Sequence, residues 1–220
     1  MNVNQALEHF FGLLTFEERE QFESFDAPQK IQEFLDDIPY STSQANRCPI
    51  RVLRDREAHC LDGALFAACA LRSIGYPPLI IDLLPEPGKD DDHVLAIFKV
   101  KSRFGAVAKS NFTGLRFREP VYKNLRELVM SYFEMYFNVH AQKTLRAYTR
   151  SIDLQHYDQK AWMWSDKGVD FIEERLHFLK NIPVIDQTSA DQLSDVDQLT
   201  YQAGMLVTNP AGLYKPSQEI

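Results

Sequence analysis

Glu57-Ala-His-Cys-Leu-Asp-Gly-Ala-Leu-Phe-Ala-Ala-Cys-Ala-Leu-Arg-Ser-Ile-Gly75 reads as one helix, with a cysteine in its first turn and a glycine beyond its last. Leu61, Ala64, Leu65, Ala68 and Leu71 recur at i, i+3, i+4 spacing. The small residues Ala64, Ala67, Ala68 and Ala70 allow close approach of neighbours, so the helix is expected to be largely buried. Gly75 and Pro77-Pro78 prevent its continuation. Strand-like apolar runs follow at 79–84, 93–100 and 104–110. A turn-rich acidic loop at 85–92 joins the first two, and the hairpin-length 101–103 joins the last two. A buried helix followed by strands in hairpin order predicts an α+β fold with the cysteine helix packed on an antiparallel sheet.

The order of reactive residues along this stretch points to thiol chemistry. Cys60 opens the helix, His93 opens the second strand-like run, and Ser110-Asn111 ends the third. A helix N-terminus and a nearby imidazolium both stabilise a thiolate, which is the nucleophilic form of cysteine. A histidine can take the thiol proton and return it to a leaving group, and Asn111 or Ser110 can orient the imidazole. His59 lies beside Cys60, but adjacent helical residues diverge, so it is expected at the surface or on the substrate side and not as the base. Asp62 is expected to accept first-turn N–H bonds or to touch substrate, and Arg116 to bind an anionic part of a substrate. The plainer readings are an inert core thiol at Cys69, a salt-bridged loop at Arg116 and packing roles for Trp162 and Trp164.

Upstream, apolar pairs at Ala6-Leu7, Phe10-Phe11 and Leu13-Leu14 predict an amphipathic helix. Thr15-Phe-Glu-Glu18 has the form of a capping box and starts a second helix. Pro28 starts a third, which buries Ile31, Phe34, Leu35 and Ile38 and stops at Pro39. Residues 40–55 read as irregular. Downstream, 124–138 reads as a helix, 140–154 as a strand and 166–181 as a helix, with a polar, irregular tail after Pro183.

The 220 residues suit one domain and are 45% apolar, with 15 Phe, 9 Tyr and 2 Trp, enough for a large core. A net charge of −7 without a basic cluster argues against a nucleic-acid surface. No stretch approaches membrane-spanning length, and the N-terminus lacks the pattern of a signal peptide. Three cysteines without a C-x-x-C pair give no metal pattern and suit a reducing, cytoplasmic setting. No cofactor is expected, and oligomeric state is open.

Several runs resemble the transglutaminase-like superfamily, the papain-related group built on Cys, His and Asp. They are Cys60-Leu-Asp62, the alanine-rich 64–71, Ser73-Ile-Gly-Tyr-Pro77, the strand 79–84 and Asp92-His93-Val94. Gly105-Ala-Val-Ala-Lys-Ser-Asn-Phe112, Leu115-Arg-Phe-Arg-Glu-Pro-Val-Tyr122 and Lys143-Thr-Leu-Arg-Ala-Tyr148 resemble a bacterial branch of it. The resemblance spans about 30–155, leaving 156–220 as an extension. It implies a papain/transglutaminase-like core and a hydrolase or acyltransferase acting on an amide or ester, in a peptide or protein among other substrates. Cys60 would then be nucleophile, His93 acid/base, and Asn111 or Ser110 the orienting group where the family has Asp. It also allows a catalytically inactive binding module on the same fold.

Overall fold

In the computed structural model, residues 3–216 are described. The chain opens with helices α1 (Val3–Gly12), α2 (Phe16–Glu23), α3 (Pro28–Asp37), α4 (Pro49–Asp55) and α5 (Cys60–Ser73). Strands β1 (Leu79–Pro85), β2 (His93–Val100), β3 (Arg103–Val107) and β4 (Arg118–Tyr122) follow. Then come α6 (Leu125–Met130), β5 (Leu145–Thr149), β6 (Ile152–Asp153), α7 (Asp166–His177), β7 (Asn181–Pro183), α8 (Gln187–Ala190) and α9 (Gln198–Met205).

The strands form one antiparallel sheet in the order β4-β3-β2-β1-β5-β7, with β6 paired to β1 beside β5. Its two outermost strands each contain a proline, Pro120 in β4 and Pro183 in β7. Side chains alternate across a strand, so the sheet serves two apolar layers. Ile80, Val94, Ala96, Phe98 and Val107 pack with α5 and the other N-terminal helices. Ile81, Leu83, Leu95, Ile97 and Ala106 pack with Leu128, Val129, Tyr132, Phe133 and Tyr136. This is the expected α+β layout, with the Cys60 helix on one face of an antiparallel sheet.

α5 is held from several sides. Phe66 stacks on Phe34 with ring centroids 4.8 Å apart and meets Phe22 and Phe25 edge-on. Arg72 makes a two-pronged, buried ion pair with Asp158 at 2.6 and 2.7 Å, and Trp162 Nε1 donates to the same carboxylate at 3.3 Å. Gly63 meets β3's continuation so closely that an added Cβ would overlap Lys109 Cβ. Lys109 runs past it to α3, where Nζ donates to Leu35 O at 2.7 Å and to Ile38 O. A cation at a helix C-terminus satisfies carbonyls that have no partner within the helix.

The Thr15–Glu18 capping box forms as expected, with both reciprocal bonds present at 2.8 and 3.2 Å. Other boundaries differ. Pro49–Asp55 is a helix inside the stretch read as irregular, started by a proline in its first turn. The 124–138 helix is α-helical only to Met130, after which a tighter turn places Tyr132 and Tyr136 in the core. The 140–154 strand narrows to 145–149 and 152–153. Trp162 is fully buried, in a turn before α7. The tail after Pro183 is not wholly irregular, since it holds α8 and α9.

Candidate active site

Cys60 is the first residue of α5, follows the N-cap His59 and is 8% exposed. It lines a cleft of about 540 Å³ together with Tyr40, His59, Asp91, Asp92, Glu173 and His177, among others. Its Sγ lies 3.9 Å from the carbonyl oxygen of Asp92. The Tyr40 phenol lies beside Cys60 on the same cleft. Burial pushes the Cys60 thiol well above its ordinary value, and the charges of Asp92, Asp91 and Asp82 push it further. The Val94 main chain works in the opposite sense and is outweighed. The thiol is therefore held protonated, opposite to what a nucleophile requires.

Asp82 is one of these acids. It lies on β1 opposite Val94, on the α5 side of the sheet, and is 1% exposed. Its Oδ1 has no hydrogen-bond partner among the described residues. Burial, then Asp92, raises its pKa well above the carboxylate range. Asp92 is itself raised to about 6, mainly by burial and by Asp91.

His93 opens β2 opposite Leu83. Alternation with Leu95 and Ile97 turns its ring away from α5, into the other apolar layer. There Nε2 lies 2.7 Å from the carbonyl oxygen of Leu115. A carbonyl only accepts, so Nε2 carries the proton in this contact. Burial lowers the His93 pKa to about 4, outweighing the Leu115 carbonyl, so the ring is neutral at neutral pH.

Ser110 Oγ accepts from the Phe112 N–H at 3.0 Å, a local turn bond. Asn111 makes a double contact with a distant main chain: Nδ2 donates to Asn209 O at 3.0 Å, and Oδ1 accepts from Asn209 N at 2.8 Å. His93, Ser110 and Asn111 do come together, around a second cavity of about 40 Å³. Cys60 is not on it. The two cavities share Tyr40, Asp91, Asp92, Gly212 and Tyr214 as common wall.

Of the expected substrate-side residues, His59 lines the Cys60 cleft. Asp62 is wholly buried and accepts from Arg47 N at 2.7 Å and His59 N at 3.3 Å, tying the 41–48 loop to the start of α5. Those donors and the Arg47 charge favour the carboxylate, but burial outweighs them and holds it at about 7. His59 Nε2 lies 3.3 Å from Asp62 Oδ1, and burial lowers His59 to about 4, so the contact joins two neutral groups near pH 6. Arg116 lies outside both cavities, with Nη1 3.2 Å from Asp36 Oδ1 and Nε donating to Thr113 O.

Tyr40, Asp91, Asp92, Glu173 and His177 on the cleft wall, and Asp82 near the thiol, were not singled out as site residues from the sequence. Asp82 had a signal, an acid inside an otherwise apolar strand. Tyr40 and His177 had none, because loop and helix reach the cleft only through tertiary packing.

No protein-family model matches the chain, and no curated protein matches it. Among solved structures it is similar to LapG of Legionella pneumophila. The EGTA-treated form has a TM-score of 0.34 and 15% identity over 50% of this chain and 70% of that one. A second LapG structure has a TM-score of 0.34 and 14% identity over 50% of this chain and 71% of that one.

Proposed function

We propose that the chain is a papain/transglutaminase-type module whose Cys60 cleft binds a ligand without thiol turnover. One observation carries this reading. His93 is tied to Leu115 on the far side of the sheet, while Cys60 faces acids and a phenol. A thiolate–imidazolium pair needs the two side chains in contact, and acidic neighbours oppose ionisation of the thiol.

The test is alkylation of Cys60 by iodoacetamide as a function of pH, mapped by mass spectrometry in the wild type and in His93→Ala. The reading expects Cys60 to react slowly below pH ~8.5, the ordinary thiol range. His93→Ala is then expected to leave that profile unchanged. Fast alkylation of Cys60 near neutral pH that disappears in His93→Ala would refute it.

That refuting result would establish the second reading, a cysteine-dependent hydrolase or acyltransferase. Two observations favour it: Cys60 stands on a helix N-terminus and lines a cleft, and His93, Ser110 and Asn111 line the adjoining cavity. In that reaction Sγ attacks the carbonyl carbon of an amide or ester as His93 takes the thiol proton. The leaving amine or alcohol departs with that proton. Water or a second amine then resolves the thioester, regenerating the thiol.

A further inference from the structure

We propose that residues 209–215 form a strap that walls in this chain's own Cys60 cleft, clamped by Asn111, and that a ligand enters by displacing it. The inference stands whether the cleft binds its ligand or turns it over.

The clamp is the first support. Both ends of the Asn111 amide engage the main chain of Asn209, the pattern by which one extended chain pairs with another, and Asn111 itself is 5% exposed. Such a contact reads backbone and is indifferent to the side chain it holds. Thr208 Oγ1 adds a bond to Asn111 O at 3.0 Å.

Beyond the clamp, a tight turn at Pro210–Gly212 lays the chain on Tyr40. A Cβ added to Gly212 would stand 3.0 and 3.2 Å from two ring carbons of Tyr40 and 3.3 Å from Asn111 Nδ2. From there Ala211, Gly212, Leu213, Tyr214 and Lys215 form a wall of the Cys60 cleft. Gly212 and Tyr214 also close the His93 cavity, so the strap contributes two of the five residues that separate the two spaces. The cleft wall carries Asp91, Asp92 and Glu173, a charge setting that suits the Lys215 ammonium.

The strap is held lightly. No residue from 205 to 216 is buried, and Leu206 and Val207 are 79% and 63% exposed. Segments with few buried apolar contacts open at low free energy, so this one can leave while the sheet stays folded.

Hydrogen exchange on the full chain tests this, comparing the wild type with Gly212→Leu and Asn111→Ala. The leucine crowds the Tyr40 ring, which its Cβ would meet at 3.0 Å, and the alanine removes the clamp without adding bulk. In both variants the amides of 209–215 are expected to exchange roughly tenfold faster or more, with α5 protection unchanged. If Gly212→Leu also loses α5 protection, Asn111→Ala alone decides the exchange result.

A fluorescent peptide of residues 207–216 then probes the opened cleft by anisotropy. It is expected to bind Gly212→Leu roughly tenfold or more tighter than the wild type, because the wild-type strap competes at high effective concentration. Exchange in 209–215 that is already unprotected in the wild type, or unchanged in both variants, would overturn the proposal. So would peptide binding that is equal, or equally absent, in Gly212→Leu and the wild type.

Discussion

The two faces of β2 carry opposite chemistry. Toward α5, Val94, Ala96 and Phe98 lie beside a set of acids around a thiol: Asp82, Asp91 and Asp92 about Cys60. Toward the other layer, Leu95 and Ile97 follow a neutral imidazole, His93, held by one carbonyl. One residue of register separates the two arrangements, since a shift by one exchanges the faces of a strand. The lesson is that an ordered set of catalytic residue types along a chain does not by itself make a site. Which face each residue takes decides it.

The largest effect expected on this comparison comes from beneath the cysteine face. Arg72→Ala leaves Asp158 buried without its ionic partner and should cost about 3–5 kcal/mol of stability, read by urea denaturation. Replacing both members, Arg72→Met with Asp158→Leu, should recover most of that loss. A double variant as unstable as the single one would mean that the pair does more than neutralise itself.

Asp82→Asn comes next and has the opposite sign. A carboxyl whose folded pKa is raised stabilises fully below its unfolded value near 4, and that contribution is lost as pH rises through the folded value. At pH ~8 the unfolded chain has lost the Asp82 proton, so the folded state must either hold it or bury the charge, and either burdens the fold. Removing the ionisable group should gain about 1–3 kcal/mol at that pH and little at pH ~4. Equal effects at both pH values would show that Asp82 ionises normally.

His93→Gln tests the other face and should have the smallest effect at neutral pH, within about 1 kcal/mol, because the amide can still donate to Leu115 O. Its signature lies in acid. With the folded pKa lowered to about 4, wild-type stability should fall as pH drops from ~6.5 toward 4, since the unfolded chain binds the proton more readily. His59 contributes in the same sense, so His93→Gln should reduce the slope of that fall without abolishing it.

Much of this was legible in the sequence. The α5 boundaries, the capping box at Thr15 and the strands at 79–85 and 93–100 follow from periodicity and punctuation. The face taken by His93 was not legible. Residues 94–98 are apolar throughout because both faces of β2 are covered, so alternation gave no phase. Asn111 was legible as a polar residue at a strand end, but its partner lies 98 residues away and is read through backbone. α4 was hidden because its seven residues include three charges, too few apolar positions to show a helical period.

The prolines at the two rims of the sheet bear on how the molecule behaves in company. A bare rim strand offers unpaired N–H and C=O groups on which another chain can grow a further strand. Pro183 interrupts that row of donors in β7, which is only three residues long, and Pro120 removes one backbone donor from β4. Neither rim is a good template for strand addition, so recruitment of copies into extended sheets is disfavoured even at high concentration.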